Sequence, residues 1–158
     1  ERNAWLWDRV RVQGGAYGAF CLLDRLSGVL TLVSYRDPNL LQTLDIFDRS
    51  ARFLEEETLT DEELTKSIIG AIGDLDSHML PDTKGFVSMI RYLTKDTESL
   101  RQHMREELLG TTTSDFKTMG RVLKEVVEKG VVKVLGSSTA MEEVDKKRPG
   151  WLKRVKVL

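Results

Sequence analysis

The sequence predicts an α+β fold, with helices packed on one face of a mainly antiparallel sheet. Two strand-like segments come early, amphipathic helical patterns fill the middle, and one or two strand-like segments follow near the end. Elements segregated along the chain in this way are typical of α+β architecture. The length of 158 residues and the apolar fraction of 41% suit a single domain over 1–158 with a core of its own.

A short helix and a β-hairpin are the first elements that the pattern predicts. Residues 4–10 form an apolar helical segment ahead of a diglycine turn. Residues 16–23 and 29–35 are rich in strand-forming side chains, and the turn at 24–28 joins them as antiparallel strands. Both faces of the first strand are largely apolar, which predicts that the sheet is covered. Its Cys21 is then expected to be a small buried hydrophobe rather than a reactive thiol.

Helix starts are visible along the middle of the chain. Asp37-Pro38 predicts the first, because aspartate caps exposed amides and proline suits the first helical position. The run 60–63 is a capping box for the second helix. Further helices are expected to follow the proline at position 81, to start at the threonine at position 97, and to follow Thr113 or Ser114.

The predicted helices each carry an apolar stripe at three- and four-residue spacing. In chain order, the stripes contain Leu40, Leu44, Phe47, Ala51 and Leu54; Leu64, Ile68, Ile72 and Leu75; Phe86, Ile90 and Leu93; Leu100, Met104 and Leu108; and Phe116, Met119, Leu123 and Val126. Gly70 and Gly73 lower the intrinsic stability of the second helix. Their presence predicts close packing of that helix against a neighbour.

The last part of the chain predicts a mixture of short elements. Residues 131–135 are apolar and β-branched, which predicts a strand, and 138–146 predict a final short helix. A basic, alternating tail at 151–158 is a candidate edge strand.

The diglycine turn carries the clearest candidate chemistry. Gly14 and Gly15 allow a sharp bend, with Arg11 on one side of it and Tyr17 on the other. A guanidinium fork and a phenol that face one point can hold a polarised carbonyl or an oxyanion. The alternative is a tight turn before a strand, with the arginine in solvent and the tyrosine in the core.

Other kinds of site find little support in the sequence. The net charge of −1 argues against a general nucleic-acid binder, and no apolar run has membrane-spanning length. His78 and His103 are the only histidines, and His103 with Glu106 and Glu107 is better explained as a solvated helix surface than as a metal motif. This chain alone is therefore expected to hold no catalytic zinc.

An ordered series of segments resembles the C-terminal half of presequence proteases, which belong to the pitrilysin and insulin-degrading enzyme superfamily of zinc metallopeptidases. The segments that carry the resemblance are 10–18, 34–41, 44–46, 64–66, 68–70, 80–82, 84–85 and 115–117. They extend over nearly the whole chain. The resemblance implies one metallopeptidase-type α+β half of a longer polypeptide, in agreement with a chain that starts at Glu1 without methionine or transit peptide.

The resemblance also implies a function. Family members cut unfolded peptides, such as targeting presequences, inside a chamber made of two halves, and the N-terminal half holds zinc through a His-x-x-Glu-His motif. By motif, Arg11 and Tyr17 are the catalytic residues that bind the scissile carbonyl and stabilise the oxyanion, and Gly14, Gly15 and Ala16 between them are substrate-binding. The expected partners are the N-terminal half of the same polypeptide and the peptide substrate. No nucleic acid or membrane is expected.

Two further expectations follow from the resemblance. The expected compartment is the mitochondrial matrix or plastid in a eukaryote, or the cytoplasm in a bacterium, and the isolated chain is expected to be inactive. The alternative function is a non-catalytic structural or peptide-binding half, in which Tyr17 is a core residue and Arg11 a salt-bridge partner.

Overall fold

The α+β class is confirmed in a computed structural model of the chain, which describes residues 5–56 and 59–155. A π-helix, Trp7–Gln13, leads into strands β1 (Gly18–Asp24) and β2 (Val29–Tyr35), which pair in antiparallel register from Gly18 opposite Tyr35 to Asp24 opposite Val29. Six α-helices follow: α1 (Leu40–Glu56), α2 (Asp61–Leu75), α3 (Pro81–Thr94), α4 (Glu98–Leu109), α5 (Thr113–Lys129) and α6 (Ser138–Lys147).

The predicted hairpin is confirmed, and the sheet has these two strands within the described residues. The strand predicted at 131–135 is wrong, because that segment has no regular structure and leaves its apolar side chains largely exposed. Residues 151–155 form no edge strand either, and 156–158 lie outside the described residues, as does residue 4 of the predicted first helix. Apolar alternation indicates strand propensity, but a strand also needs a partner with free backbone groups.

The main core joins the π-helix, the start of β1 and α1. Val10, Ala16, Ile46 and Phe47 are buried together, and the partly buried side chains around them include Ala19 and Leu32 of the hairpin. Helices therefore cover one face of the hairpin near its base. The rest of β1 is exposed, so the prediction of a covered sheet is wrong for this part of the molecule.

The π-helix is also fastened to α1 by an indole. Trp5 precedes the π-helix, and its Nε1–H donates to the carbonyl oxygen of Ile46 at 3.1 Å. The same indole stacks on the ring of Phe53, with ring centroids 4.8 Å apart. Even a partly buried indole gains from such an acceptor, because an unpaired N–H shielded from water costs free energy. These contacts hold the segment that leads into the π-helix against α1.

Helices α1 and α5 make the closest helix pair. A Cβ added to Gly120 of α5 would lie 2.9 Å from the carbonyl oxygen of Ala51 in α1 and 2.7 Å from Cγ of Glu55. The absence of a side chain at this position lets the two backbones approach each other. The prediction of close packing at Gly70 and Gly73 is wrong within the described residues, where a Cβ at either position would meet nothing within 4 Å.

Two smaller expectations also change. Helix α1 begins at Leu40, so Pro38 precedes it, and the Asp37 carboxylate accepts from the Asn39 N–H at 2.8 Å. Cys21 is exposed on β1, so the prediction of a buried hydrophobe is wrong. Partial desolvation nevertheless raises the pKa of its thiol. A raised pKa reduces the thiolate fraction, which disfavours reactivity.

Candidate active site

The turn after the π-helix depends on its two glycines. The N–H of Gly15 donates to the carbonyl oxygen of Arg11 at 2.9 Å, and the N–H of Ala16 donates to that of Val10 at 3.1 Å. Gly15 has a φ of 77°, a left-handed conformation that glycine adopts without steric cost. At Gly14, a Cβ would lie 2.5 Å from the carbonyl oxygen of Val10. Any side chain at either position would therefore strain the turn or displace it.

The residues just before α1 contact the diglycine turn. The side-chain amide of Asn39 donates to the carbonyl oxygen of Gly14. The ring of Pro38 lies 3.9 Å from the position that a Cβ of Gly15 would take. The segment between β2 and α1 therefore helps to fix the position of the diglycine turn relative to the core.

Arg11 is held across the turn by two contacts. Its Nε–H donates to the carbonyl oxygen of Tyr17 at 3.1 Å, and its guanidinium lies over the Trp7 ring, 3.8 Å from the centroid. Stacking on an indole is a favourable cation–π arrangement. The structure records no ion pair for Arg11 within the described residues, so its terminal N–H groups remain available to a ligand.

Tyr17 lies at the surface rather than in the core. Its side chain is 66% exposed, and its ring meets the edge of the Tyr35 ring at 87°, with centroids 5.8 Å apart. Its N–H donates to the carbonyl oxygen of Tyr35 at 3.1 Å, which continues the hairpin ladder by one residue. The backbone of Tyr17 is thereby tied to β2 while its ring stays accessible.

Arg11 and Tyr17 line the same open hollow, which has a volume of about 500 Å³. The complete lining is Arg11, Val12, Gly15, Ala16, Tyr17 and Arg36. Four of the five residues predicted for the site therefore meet here, while Gly14 contributes the backbone turn beneath them. No carboxylate lines the hollow, so its two guanidinium groups favour a ligand with negative or partially negative oxygen atoms. The catalytic and substrate-binding roles of these residues stay predictions.

Arg36 was not expected in this hollow. The sequence places it at the junction between β2 and α1. Its guanidinium lies 5.8 Å from the centroid of the Tyr17 ring and 5.4 Å from that of the Tyr35 ring. Hairpin register was the signal for it: pairing of Gly18 with Tyr35 brings the residue after Tyr35 beside the residue before Gly18.

The other candidate sites remain ordinary surface. His103 lies 3.4 Å from Glu107 across one helical turn, and both side chains are about two thirds exposed. The Asp76 carboxylate is bound by the Arg105 guanidinium, and this hydrogen bonding lowers the pKa of Asp76. His78 borders a second, polar hollow of about 450 Å³ between the end of α2 and α3. Within 5–56 and 59–155, no three potential ligand side chains converge to hold a metal ion.

Charge at the C-terminal end is partly neutralised within the chain. Arg154 lies 3.3 Å from the Asp145 carboxylate and donates to the carbonyl oxygen of Met141. The Arg148 guanidinium lies over the Trp151 ring. Across the part of the chain that the structure describes, every helix is too short or too polar to span a bilayer.

Comparison with known proteins shows the family to which the chain belongs. The family model described as the PreP C-terminal domain matches residues 1–138. Presequence protease 1, chloroplastic/mitochondrial, of Arabidopsis thaliana is 47% identical over 99% of this chain. Presequence protease, mitochondrial, of Aspergillus oryzae is 35% identical over 74% of the chain, and Protein HypA of Clostridium perfringens is 34% identical over 88% of it.

The match covers a small part of each relative. The chain spans 14% of the Arabidopsis and Clostridium proteins and 11% of the Aspergillus protein. The hairpin, the diglycine turn and the hollow all lie within the matched residues 1–138. On this evidence, the chain belongs to the PreP C-terminal domain family.

Proposed function

We propose that this chain is the C-terminal, active-site-completing domain of a zinc metalloendopeptidase that degrades unfolded peptides such as targeting presequences. The observation that carries the proposal is the placement of Arg11 and Tyr17 on one open hollow, at a glycine turn fixed by the core. Membership of the PreP C-terminal domain family supports the same reaction class.

In this proposal, the scissile carbonyl of an extended peptide enters the hollow with its oxygen towards Arg11 and Tyr17. The free N–H groups of the guanidinium and the phenolic hydroxyl donate to that oxygen. As the carbonyl carbon becomes tetrahedral, the oxygen gains negative charge and both hydrogen bonds strengthen. The interactions are then stronger in the transition state than with the bound substrate, which is what accelerates the reaction.

The arginine is well placed for this task because it is already ordered. Stacking on Trp7 and the hydrogen bond to the carbonyl oxygen of Tyr17 restrict its side chain before substrate arrives. Less conformational entropy is then lost when the oxyanion forms. The contacts of Arg11 also couple its position to that of Tyr17.

The side chains described here do not fit a catalytic zinc site, because no set of three ligands converges. We therefore propose that zinc is bound by the N-terminal half of the same polypeptide, and we expect this chain alone to have no proteolytic activity. Substrate binding and charge stabilisation are the steps that we assign to the present residues. The compartments in the names of the Arabidopsis and Aspergillus proteins support a mitochondrion or plastid as the place of action.

The alternative, a non-catalytic structural or peptide-binding half, requires Tyr17 in the core and Arg11 in a salt bridge. Tyr17 is exposed, and Arg11 has no ion pair in the described ranges. Neither feature favours the alternative. A full-length protein without the His-x-x-Glu-His motif would favour it.

Separate Tyr17→Phe and Arg11→Ala substitutions in the full-length protein test the assignment. Each removes one donor to the oxyanion, so we expect turnover of a fluorogenic unstructured peptide to fall about 100- to 1,000-fold. The loss is expected mainly in kcat, since the lost interaction belongs to the transition state. Tyr92→Phe is the matched control, because Tyr92 is an exposed tyrosine on α3 away from the hollow. Near wild-type turnover in both Tyr17→Phe and Arg11→Ala would reject these roles.

A further inference from the structure

The backbone at Arg36 is strained. Arg36 has a φ of 48°, and Lys95 at 58° is the other non-glycine residue with positive φ among those described. Side chains with a Cβ disfavour this left-handed region because the Cβ crowds the backbone. Glycine would occupy position 36 without this steric cost. An observed backbone outlier beside a hollow is a reason to look for a functional constraint.

The Arg36 side chain contacts aromatic rings rather than a carboxylate. Its guanidinium is within cation–π range of both Tyr17 and Tyr35, whose rings also meet edge to face. The adjacent Asp37 carboxylate accepts from the Asn39 N–H at the start of α1 instead. Arg36 has no ion pair within residues 5–56 and 59–155, and it lines the hollow together with Arg11 and Tyr17.

The main chain of Arg36 also contacts Tyr17. The carbonyl oxygen of Arg36 lies 3.4 Å from the Tyr17 nitrogen, which donates principally to the carbonyl oxygen of Tyr35. Arg36 thus contacts Tyr17 twice: its carbonyl oxygen lies near the Tyr17 backbone nitrogen, and its guanidinium lies near the Tyr17 ring. Because Tyr17 is 66% exposed, few other contacts restrict the rotation of its ring.

We infer that Arg36 is a positioning residue that holds the Tyr17 ring, so that the phenol is presented to the hollow when substrate binds. This inference rests on the proposed function, in which the phenol stabilises the oxyanion. Arg36 forms no bond to the substrate in this role. It acts through Tyr17 by restricting the ring between its guanidinium and the ring of Tyr35.

Arg36→Gly in the full-length protein tests the inference, because it removes the guanidinium and relieves the backbone at the same time. We expect kcat to fall about three- to tenfold, the range that a lost cation–π contact implies. KM is expected to stay nearly unchanged and the Tm to stay level or rise. Arg36→Lys keeps the cation and is expected to recover part of the lost turnover.

Lys95→Gly is the matched control. It relieves the same kind of left-handed strain at the C-terminal end of α3, far along the chain from the hollow. We expect its Tm to stay level or rise and its turnover to equal that of the wild type. A turnover loss in Lys95→Gly as large as that in Arg36→Gly would overturn the inference.

The double variant Arg36→Gly with Tyr17→Phe separates positioning from a general structural role. If Arg36 acts through the phenol, the double variant loses no more turnover than Tyr17→Phe alone. If the turnover losses of the two single variants multiply in the double variant, the inference is overturned. Wild-type turnover in Arg36→Gly together with impaired turnover in Tyr17→Phe would also overturn it, although the proposed function would then stand. Wild-type turnover in both Tyr17→Phe and Arg11→Ala would instead reject the proposed function itself.

Discussion

Two parts of this chain have similar helical patterns but very different packing. The first part, which we term the packed region, comprises the π-helix, the base of the hairpin, α1, α5 and α6. The second, the open region, comprises α2, α3 and α4. Within the described residues, the buried apolar side chains all lie in the packed region: Val10, Ala16, Ile46, Phe47, Ala51, Leu123 and Val144. None of the helices of the open region contains a buried residue.

The difference shows what an amphipathic pattern can and cannot predict. An apolar stripe identifies the helix face whose burial would stabilise the fold. It does not tell which other segment of the chain buries that face. Phe47 of α1 is 8% exposed, whereas Phe86 of α3 is 61% exposed although both lie on predicted stripes. The free energy that holds this chain together therefore comes mainly from the packed region, which is also the region that fixes the candidate site.

The largest expected effect comes from a pair of phenylalanine truncations. Phe47→Ala should lower the free energy of unfolding of the chain by about 3–5 kcal/mol, because it removes a buried ring and leaves a cavity. Phe86→Ala should change it by less than about 0.5 kcal/mol, the usual range for an exposed position. Urea unfolding followed by circular dichroism measures both. Equal losses in the two variants would contradict the division into packed and open regions.

Two glycine-to-alanine substitutions test the same comparison, and we expect them to change the free energy of unfolding in opposite directions. Gly120→Ala should destabilise the chain by about 1–2 kcal/mol, since overpacking against the backbone of Ala51 outweighs the gain in helix propensity. Gly85→Ala in α3 should stabilise it by about 0.5–1 kcal/mol, because a Cβ there meets nothing within 4 Å. The same urea titrations report both changes. A stabilised Gly120→Ala would show that α1 and α5 can separate without loss.

Local chemistry made much of the fold predictable from sequence. The bounds of β2 followed from residue type, those of β1 lie within two residues of the prediction, and α2 and α3 begin where the capping box and the proline predict. Helix α5 begins at Thr113, slightly earlier than predicted. The proximity of Arg11 and Tyr17 followed from their separation of only six positions in the sequence, across the diglycine turn. In each case the determining contacts join residues close in sequence.

Long-range packing explains what the sequence could not reveal. Gly120 looks no different in sequence from Gly70, and only the distance to Ala51 of α1 separates them. Residues 131–135 have strand propensity, but within the described residues they pair with neither outer edge of the two-stranded sheet. Arg36 joins the hollow through hairpin register and a left-handed backbone, and the second of these is not encoded in a pattern of residue types.

The smallest expected effect compares two acidic residues at matching helix starts. Asp115 of α5 accepts hydrogen bonds from the N–H and hydroxyl of Thr112, at 2.7 and 2.8 Å. Glu63 of α2 accepts the same pair from Thr60, both at 2.9 Å. Because α5 lies in the packed region and α2 does not, we expect Asp115→Ala to lower the global free energy of unfolding more than Glu63→Ala does.

The effect of Asp115→Ala should also depend on pH. Hydrogen bonds from the backbone N–H and then the hydroxyl of Thr112 lower the pKa of the Asp115 carboxyl in the folded chain. A lowered folded pKa means that the stabilisation is complete above the ordinary pKa of about 4 and is lost as pH falls through the folded value. The stability difference between wild type and Asp115→Ala should therefore be largest near neutral pH and shrink below about pH 4. Urea titrations from pH 7 down to acid measure it, and a difference that stays constant over that range would show that the carboxylate is not what begins α5.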